Sequence, residues 1–196
     1  MFKDLKMVIF LLLLSSVSIL ILAYVNSIYL SMEGKRFLDL YGIILDSYEV
    51  KYSDNEIENV FHANFDFIKK GERTYFISKN SNRGSVVMVH EGPGLWSMLE
   101  LLIIVNRDLK SLISLSVLSQ GETPGLGGRV TEDEFLSQFQ GVLLRPQLSI
   151  VKRAKRDNEV DALSGATGTS IGVQDIINNA ITLIDREIRE ELNVPE

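Results

Sequence analysis

The sequence predicts an α+β protein with a single N-terminal transmembrane helix, followed by an extracytoplasmic domain that has a twisted antiparallel sheet flanked by helices. Three observations lead to this prediction. Residues 7–30 contain no charged side chain, residues 73–119 form short segments rich in β-branched and aromatic residues, and the segment after residue 170 has an apolar stripe at helical spacing. We expect a membrane anchor over 1–30 with its span at about 8–28, a helical connecting region over 31–70, and the main domain over 71–196.

The N-terminal segment is long enough to cross a bilayer, because about 20 apolar residues in a helix span its hydrocarbon core. Lys3 and Lys6 precede the span, which favours a cytoplasmic N-terminus. A cleavable signal peptide is the alternative, although its apolar region is usually about 7–15 residues long. We expect a single-pass protein of the inner (cytoplasmic) membrane whose main domain lies on the periplasmic, extracytoplasmic side.

The region after the anchor is predicted to begin with helices and to continue as a sheet. Residues 34–49 and 55–69 each place apolar side chains at helical spacing. Residues 73–119 alternate between apolar segments and turn residues, which predicts about four antiparallel strands. Residues 148–154 indicate a further strand.

Two more helices are predicted nearer the C-terminus. Residues 131–141 suit a helix in which Thr131 and Glu134 form a capping box. The final helix is expected to begin near Thr169 or Ser170, either of which can act as its cap. Its apolar stripe is Ile171, Val173, Ile176, Ile177, Ala180, Ile181, Ile184 and Ile188.

Composition excludes several classes of chemistry. The 196 residues include no cysteine, so disulfides, iron–sulfur clusters and thiol catalysis are excluded. His62 and His90 are the only histidines and lie far apart in the sequence, so we expect no metal site. The net charge of -6 argues against a nucleic-acid partner, which needs a clustered basic face.

Two glycine-rich stretches are the candidate functional segments. GETPGLGG (121–128) follows a predicted strand, and it is either a connecting turn or a loop whose bare backbone approaches a flat ligand. SGATGTS (164–170) precedes the last helix. It is either a polar cap or an anion site, because the N–H groups at a helix start favour a phosphate.

The segment DALSGAT, from Asp161 to Thr167, resembles the recognition sequence D-x-x-(S/T)-G-A-T of proteins that carry covalently attached FMN, the NqrC/RnfG FMN-binding domain family. GETPGLGG resembles a second hallmark of that family, and GPGLWS (92–97) resembles a third. The domain is shared by the covalent-FMN subunits of the sodium-translocating NADH:quinone oxidoreductase (NqrC) and of the Rnf complex (RnfG). Together with RFLDLYGIILD (36–46), the motifs are more similar to those of the sodium-translocating enzyme.

The resemblance implies a phosphoester between FMN and Thr167, made by a separate flavin transferase that uses FAD and releases AMP. It implies that the transferase recognises Asp161. Leu126 would press on the face of the flavin ring, Glu122 and Thr123 would contact its edge, and Trp96 would stand nearby. The residues implied to hold the cofactor are Trp96, Glu122, Thr123, Leu126, Gly127, Ser164, Gly165, Ala166, Thr167, Thr169 and Ser170.

By the same resemblance, the chain is an electron-transfer subunit of a Na+-translocating NADH:quinone oxidoreductase and is not catalytic alone. Its partners are then the other membrane and flavoprotein subunits, the flavin transferase and membrane lipid. Two alternatives stay open. One is an RnfG-type electron-transfer flavoprotein of an Rnf complex, and the other is a membrane-anchored binding module without a redox role.

Overall fold

The computed structural model describes residues 2–79 and 84–192, so residues 80–83 and 193–196 of the expected main domain lie outside the described residues. The chain divides into two compact units, Met1–Phe61 and His62–Glu196. The helices are α1 (Phe2–Ser47), α2 (Ile57–Asn64), α3 (Asp133–Leu136) and α4 (Thr167–Leu192). The strands are β1 (Phe65–Lys70), β2 (Arg73–Ser78), β3 (Ser85–Pro93), β4 (Met98–Asn106), β5 (Leu112–Ser119), β6 (Ser149–Val151) and β7 (Glu159–Asp161).

Helix α1 contains the predicted apolar span and is long and apolar enough to cross a membrane over Ile9–Ser47. Ser15 and Ser16 both donate to the carbonyl oxygen of Leu12, so their hydroxyls are satisfied within the helix. The sequence predicted a boundary near residue 30, but α1 continues to Ser47. Gly34 alone does not end it, because one glycine in a helix costs only about 1 kcal/mol.

The helical prediction for residues 55–69 is wrong beyond Asn64, where strand β1 begins. Phe65 is buried while its neighbour Asp66 is exposed. This segment pairs with β2 in antiparallel register, from Phe65 opposite Ser78 to Lys70 opposite Arg73. The two-residue turn between them begins with Gly71 at φ 61°, a conformation typical of tight hairpins.

The main sheet has five antiparallel strands in the order β1-β2-β3-β4-β5, which confirms the predicted α+β class and adds one strand to the predicted four. Helix α4 packs against β3 and β4. Its core face is Val173, Ile176, Ile177, Ala180, Ile184 and Ile188, each at most 1% exposed. Ile171, which the sequence assigned to this face, is 44% exposed because the turn of the helix places it on the opposite side from Ala180.

The segment between β5 and α4 differs from the prediction in two ways. The helix expected over 131–141 is the four-residue α3, flanked by 3-10 turns at Gly127–Thr131 and Ser137–Phe139. The predicted capping box is wrong, because the Thr131 hydroxyl donates to the carbonyl oxygen of Gly128. The expected strand over 148–154 is β6, and it pairs in parallel with β7, outside the main sheet.

Candidate functional site

The N-terminal end of α4 lies against the loop that follows β3. A Cβ atom built on Gly172 would be 2.7 Å from the carbonyl oxygen of Pro93 and 2.9 Å from Cα of Gly94. Only glycine permits backbones to approach this closely. The first turn of α4 is therefore held beside residues 94–97, the third of the sequence motifs.

Thr167 is the first residue of α4 and is exposed. Gly165, at φ 79°, makes the turn into the helix, and Ser170 N–H donates to the carbonyl oxygen of Ala166 at 3.0 Å. The first N–H groups of a helix have no partner within it, and with the helix dipole they favour an anion. An accessible hydroxyl thus lies where a phosphate is stabilised.

Two exposed leucines lie close to the glycines that flank Thr167 in the sequence. A Cβ atom on Gly168 would be 2.8 Å from Cδ1 of Leu95, and one on Gly165 would be 3.3 Å from Cδ2 of Leu126. Leu95 is 54% exposed and Leu126 is 47% exposed, so each offers an apolar surface to solvent next to the threonine. The sequence predicted Leu126 but missed Leu95, whose only signal was its place in GPGLWS.

Trp96 and Thr123 border the same surface. Trp96 is 77% exposed, so its indole is not a core side chain. Thr123 is exposed, and its carbonyl oxygen accepts from the N–H groups of Leu126 and Gly128. These bonds close the GETPGLGG loop around Gly125, which has φ 74°.

Glu122 does not lie at an exposed edge, in contrast to the role that the resemblance implied. It is 4% exposed and accepts hydrogen bonds from Trp96 N–H, Ser97 N–H and the hydroxyls of Ser97 and Thr169. Burial raises the pKa of this carboxyl. The hydrogen bonds from Trp96, Thr169 and Ser97 lower the pKa by more than burial raises it, so it lies below its ordinary value. Glu122 is therefore ionised and internally bound.

The hydroxyls of Thr169 and Ser170 are also buried, so neither is available to a phosphate or acts as the helix cap. Thr169 is 1% exposed and donates to Oε2 of Glu122 at 2.7 Å. Ser170 is fully buried, donates to the carbonyl oxygen of Ala166 and accepts from Leu163 N–H. The prediction failed because α4 begins two residues earlier than expected.

Asp161 and Ser164 line a separate cleft of ≈ 440 Å³. Arg129, Glu132 and Phe135 contribute to the same cleft. The Asp161 carboxylate accepts a hydrogen bond from Ala154 N–H, and its own N–H donates to the side chain of Gln138. Asp161 thus fixes the turn after β6 while remaining exposed.

Residues 94–182 match the model of the FMN-binding domain family, a range that contains the three motifs from Gly94 onward. The NqrC subunit of the Na(+)-translocating NADH-quinone reductase of Vibrio anguillarum is 37% identical over 108 residues, which are 51% of this chain and 42% of that protein. The same protein of Yersinia pestis is 38% identical over 101 residues, 47% of this chain and 38% of that protein. The matches therefore span less than half the length of these relatives.

Two solved structures share the fold. The structure of NqrC from Shewanella oneidensis has a TM-score of 0.66 and 22% identity, and it covers 79% of this chain and 96% of that chain. The structure of the corresponding Na(+)-translocating NADH-quinone reductase subunit from Parabacteroides distasonis has a TM-score of 0.65 and 23% identity, covering 81% and 94%. The comparisons thus show that residues 94–182 match the model of the FMN-binding domain family and that the chain shares the fold of these two structures.

Proposed function

We propose that Thr167 carries FMN through a phosphoester and that the chain acts as a membrane-anchored electron-transfer subunit. The observation that supports this most is the accessibility of the hydroxyls between residues 164 and 170. Thr167 and Ser164 are exposed, whereas the hydroxyls of Thr169 and Ser170 are buried and already bonded. Of the exposed pair, only Thr167 lies within the first turn of α4.

The surroundings of Thr167 fit FMN in both polarity and shape. The start of α4 suits the phosphate, since its N–H groups and dipole stabilise negative charge. Leu95 and Leu126 are exposed and lie close to Gly168 and Gly165, so they offer apolar surface to a flavin ring near the threonine. Gly165 and Gly168 keep these leucines close, because any larger residue would displace them. FMN, when bound, supplies one- and two-electron transfer.

Attachment to Thr167 needs a separate flavin transferase in this proposal. The Thr167 hydroxyl oxygen replaces AMP on the flavin-bearing phosphorus of FAD, so one phosphoester forms, the pyrophosphate bond breaks, and the hydroxyl proton is released. Asp161 and Ser164 are exposed beside the cleft described above. They are therefore accessible to the transferase, and we assign them to recognition during maturation.

The cellular role proposed is electron transfer within a Na+-translocating NADH:quinone reductase. It is supported by the identity of 35–38% to sequences of the NqrC type and by an N-terminal helix able to span a membrane. We propose that the flavin-bearing domain lies outside the cytoplasm, because Lys3 and Lys6 precede the span. The partners are then the other subunits of the complex. An Rnf-type complex would use the same site.

A denaturing gel viewed under ultraviolet light tests the attachment. With the transferase co-expressed, we expect a fluorescent band at about 22 kDa that disappears in Thr167→Ala and persists, weakened, in Thr167→Ser. Thr182→Ala is the matched control, because it removes an exposed threonine hydroxyl of α4 that lies outside the motif. A dark wild-type band would support the non-redox binding module instead. Co-purification with an NADH-oxidising or a ferredoxin-linked flavoprotein separates the two complexes.

A further inference from the structure

We infer that the buried carboxylate of Glu122 is the positioning group of the proposed flavin site, which consists of Leu95, Leu126 and Thr167, although it need not touch the cofactor. It joins three segments: the loop that carries Leu95, the GETPGLGG loop that carries Leu126, and the start of α4, which carries Thr167. This inference rests on the proposed function and adds to it a residue that acts only through its neighbours.

The contacts form a closed hydrogen-bond network. Oε1 of Glu122 accepts from Trp96 N–H and Ser97 N–H, both at 2.9 Å, and from the Ser97 hydroxyl at 3.1 Å. Oε2 accepts from the Thr169 hydroxyl at 2.7 Å. The Ser97 oxygen in turn accepts from Gly121 N–H at 2.9 Å. The network therefore ties the loop of Trp96 and Ser97, and also the start of α4, to the GETPGLGG loop.

Glycines in two of the motifs make room for this carboxylate. A Cβ atom on Gly94 would be 2.6 Å from Oε1, and one on Gly127 would be 2.8 Å from Oε2 and 2.6 Å from the Thr169 hydroxyl oxygen. Contacts this short are not tolerated, so the glycines are required by packing around Glu122. Gly94 and Gly127 of the motifs thus leave room for a buried polar group.

The charge on Glu122 strengthens the network. Burying an ionised carboxylate is costly unless donors replace its water, and here four donors do so. Hydrogen bonds to an ionised acceptor are shorter and roughly twice as strong as neutral ones. The bound segments are therefore held more stiffly than a neutral side chain would hold them.

The position of the network indicates what it orients. Leu95 directly precedes Trp96, whose N–H is bound, and Thr167 lies two residues before Thr169, whose hydroxyl is bound. Leu126 directly precedes Gly127, which packs on the carboxylate. Each residue of the proposed flavin site is thus within two residues of a Glu122 contact, so loss of the network changes the spacing of Leu95, Leu126 and Thr167.

The test compares Glu122→Gln with Glu187→Gln in the full chain. Glutamine keeps the size of Glu122 and one carbonyl acceptor, but it loses the charge and places a donor opposite Thr169. Glu187, in α4, is the matched control because it also accepts charge-assisted bonds, from Tyr75 and Arg73 at 2.7 and 2.8 Å. The two readouts are amide hydrogen exchange of the flavin-free chain and visible circular dichroism of the flavin-loaded chain.

We expect the Trp96 and Ser97 amides to exchange about tenfold faster, or more, in Glu122→Gln, since bonds to charged groups are the stronger ones. The visible dichroism of the flavin is also expected to change. Glu187→Gln should alter neither. Unchanged exchange in Glu122→Gln overturns the network, and faster exchange with wild-type dichroism overturns the positioning role alone. A wild-type chain without FMN overturns the proposed function together with this inference.

Thr169→Val keeps the inference testable if Glu122→Gln does not fold. Valine preserves the volume of threonine and removes only the donor to Oε2. We expect the same change in flavin dichroism with a smaller amplitude. Wild-type dichroism in Thr169→Val would then overturn the positioning role.

Discussion

Two glycines in the first two turns of α4 should respond unequally to the same added methyl group, with almost no change in stability at one and a clear loss at the other. Gly168→Ala places a Cβ atom 2.8 Å from Cδ1 of Leu95, the far end of a half-exposed side chain that can rotate away. Gly172→Ala places one 2.7 Å from the Pro93 carbonyl oxygen and 2.9 Å from Cα of Gly94, which are backbone atoms. The first clash is relieved by a rotamer change, and the second only by moving α4 or the loop.

The expected free energies of unfolding follow from these contacts. Replacing glycine by alanine in a helix raises the free energy of unfolding by up to about 1 kcal/mol. For Gly168→Ala this offsets the displacement of Leu95, about 0.5–1.5 kcal/mol for an off-rotamer side chain, so stability should change by less than about 0.5 kcal/mol. For Gly172→Ala, overpacking costs about 1–3 kcal/mol, and we expect a net loss of about 1–2 kcal/mol.

Thermal unfolding of the detergent-solubilised chain, followed by circular dichroism, measures the difference. In a domain of this size, Gly172→Ala should lower the Tm by about 3–8 °C and Gly168→Ala by less than about 2 °C. Flavin fluorescence should change in Gly168→Ala, because Leu95 moves within the proposed flavin site. Equal losses of stability in the two variants would refute the distinction between side-chain and backbone contacts.

Three further predictions concern stability at acid pH, the hydrogen bond of Tyr75 and the surface of Leu126. The pKa of Glu122 is lowered in the folded chain despite burial, and that of Glu187 is lowered mainly by the Tyr75 hydroxyl. Their stabilising contributions are therefore present above the unfolded-state pKa of about 4.3 and lost as the pH falls below it. The Tm should fall as the pH is lowered from 6 to 3, and it should fall less in Glu122→Gln. An equal fall in that variant would show that ionised Glu122 does not stabilise the folded chain. Tyr75→Phe removes the 2.7 Å bond to Glu187 and should cost about 1–2 kcal/mol in urea unfolding without altering flavin content. Leu126→Ala should leave the Tm nearly unchanged but increase quenching of flavin fluorescence by iodide, and wild-type quenching would argue against a flavin beside Leu126.

The main elements could be predicted because their patterns are local and strong. Strands β2 to β5, helix α4 and the long apolar helix each follow from a periodicity within one segment. β1 was missed because Phe65 and Ile68 suit helical spacing as well as a strand. What decides between these is the pairing with β2, which a single segment does not encode.

The site could be predicted only in part. The motifs identified Thr167, Leu126 and Trp96, and the structure leaves all three exposed at one end of the sheet. The partner of Glu122 was not predictable, because Thr169 is 47 residues away in the sequence and the bond depends on how α4 packs. Leu95 was missed for the same reason, since its proximity to Gly168 arises from the fold.

The most direct test of flavin attachment is the mass of the tryptic peptide Asp157–Arg186, prepared from protein made in its native host. We expect it to be heavier than its sequence by one FMN less one water, with fragment ions placing the addition on Thr167. An unmodified peptide would contradict the proposal. So would an addition on Ser164 or on any hydroxyl that the structure buries.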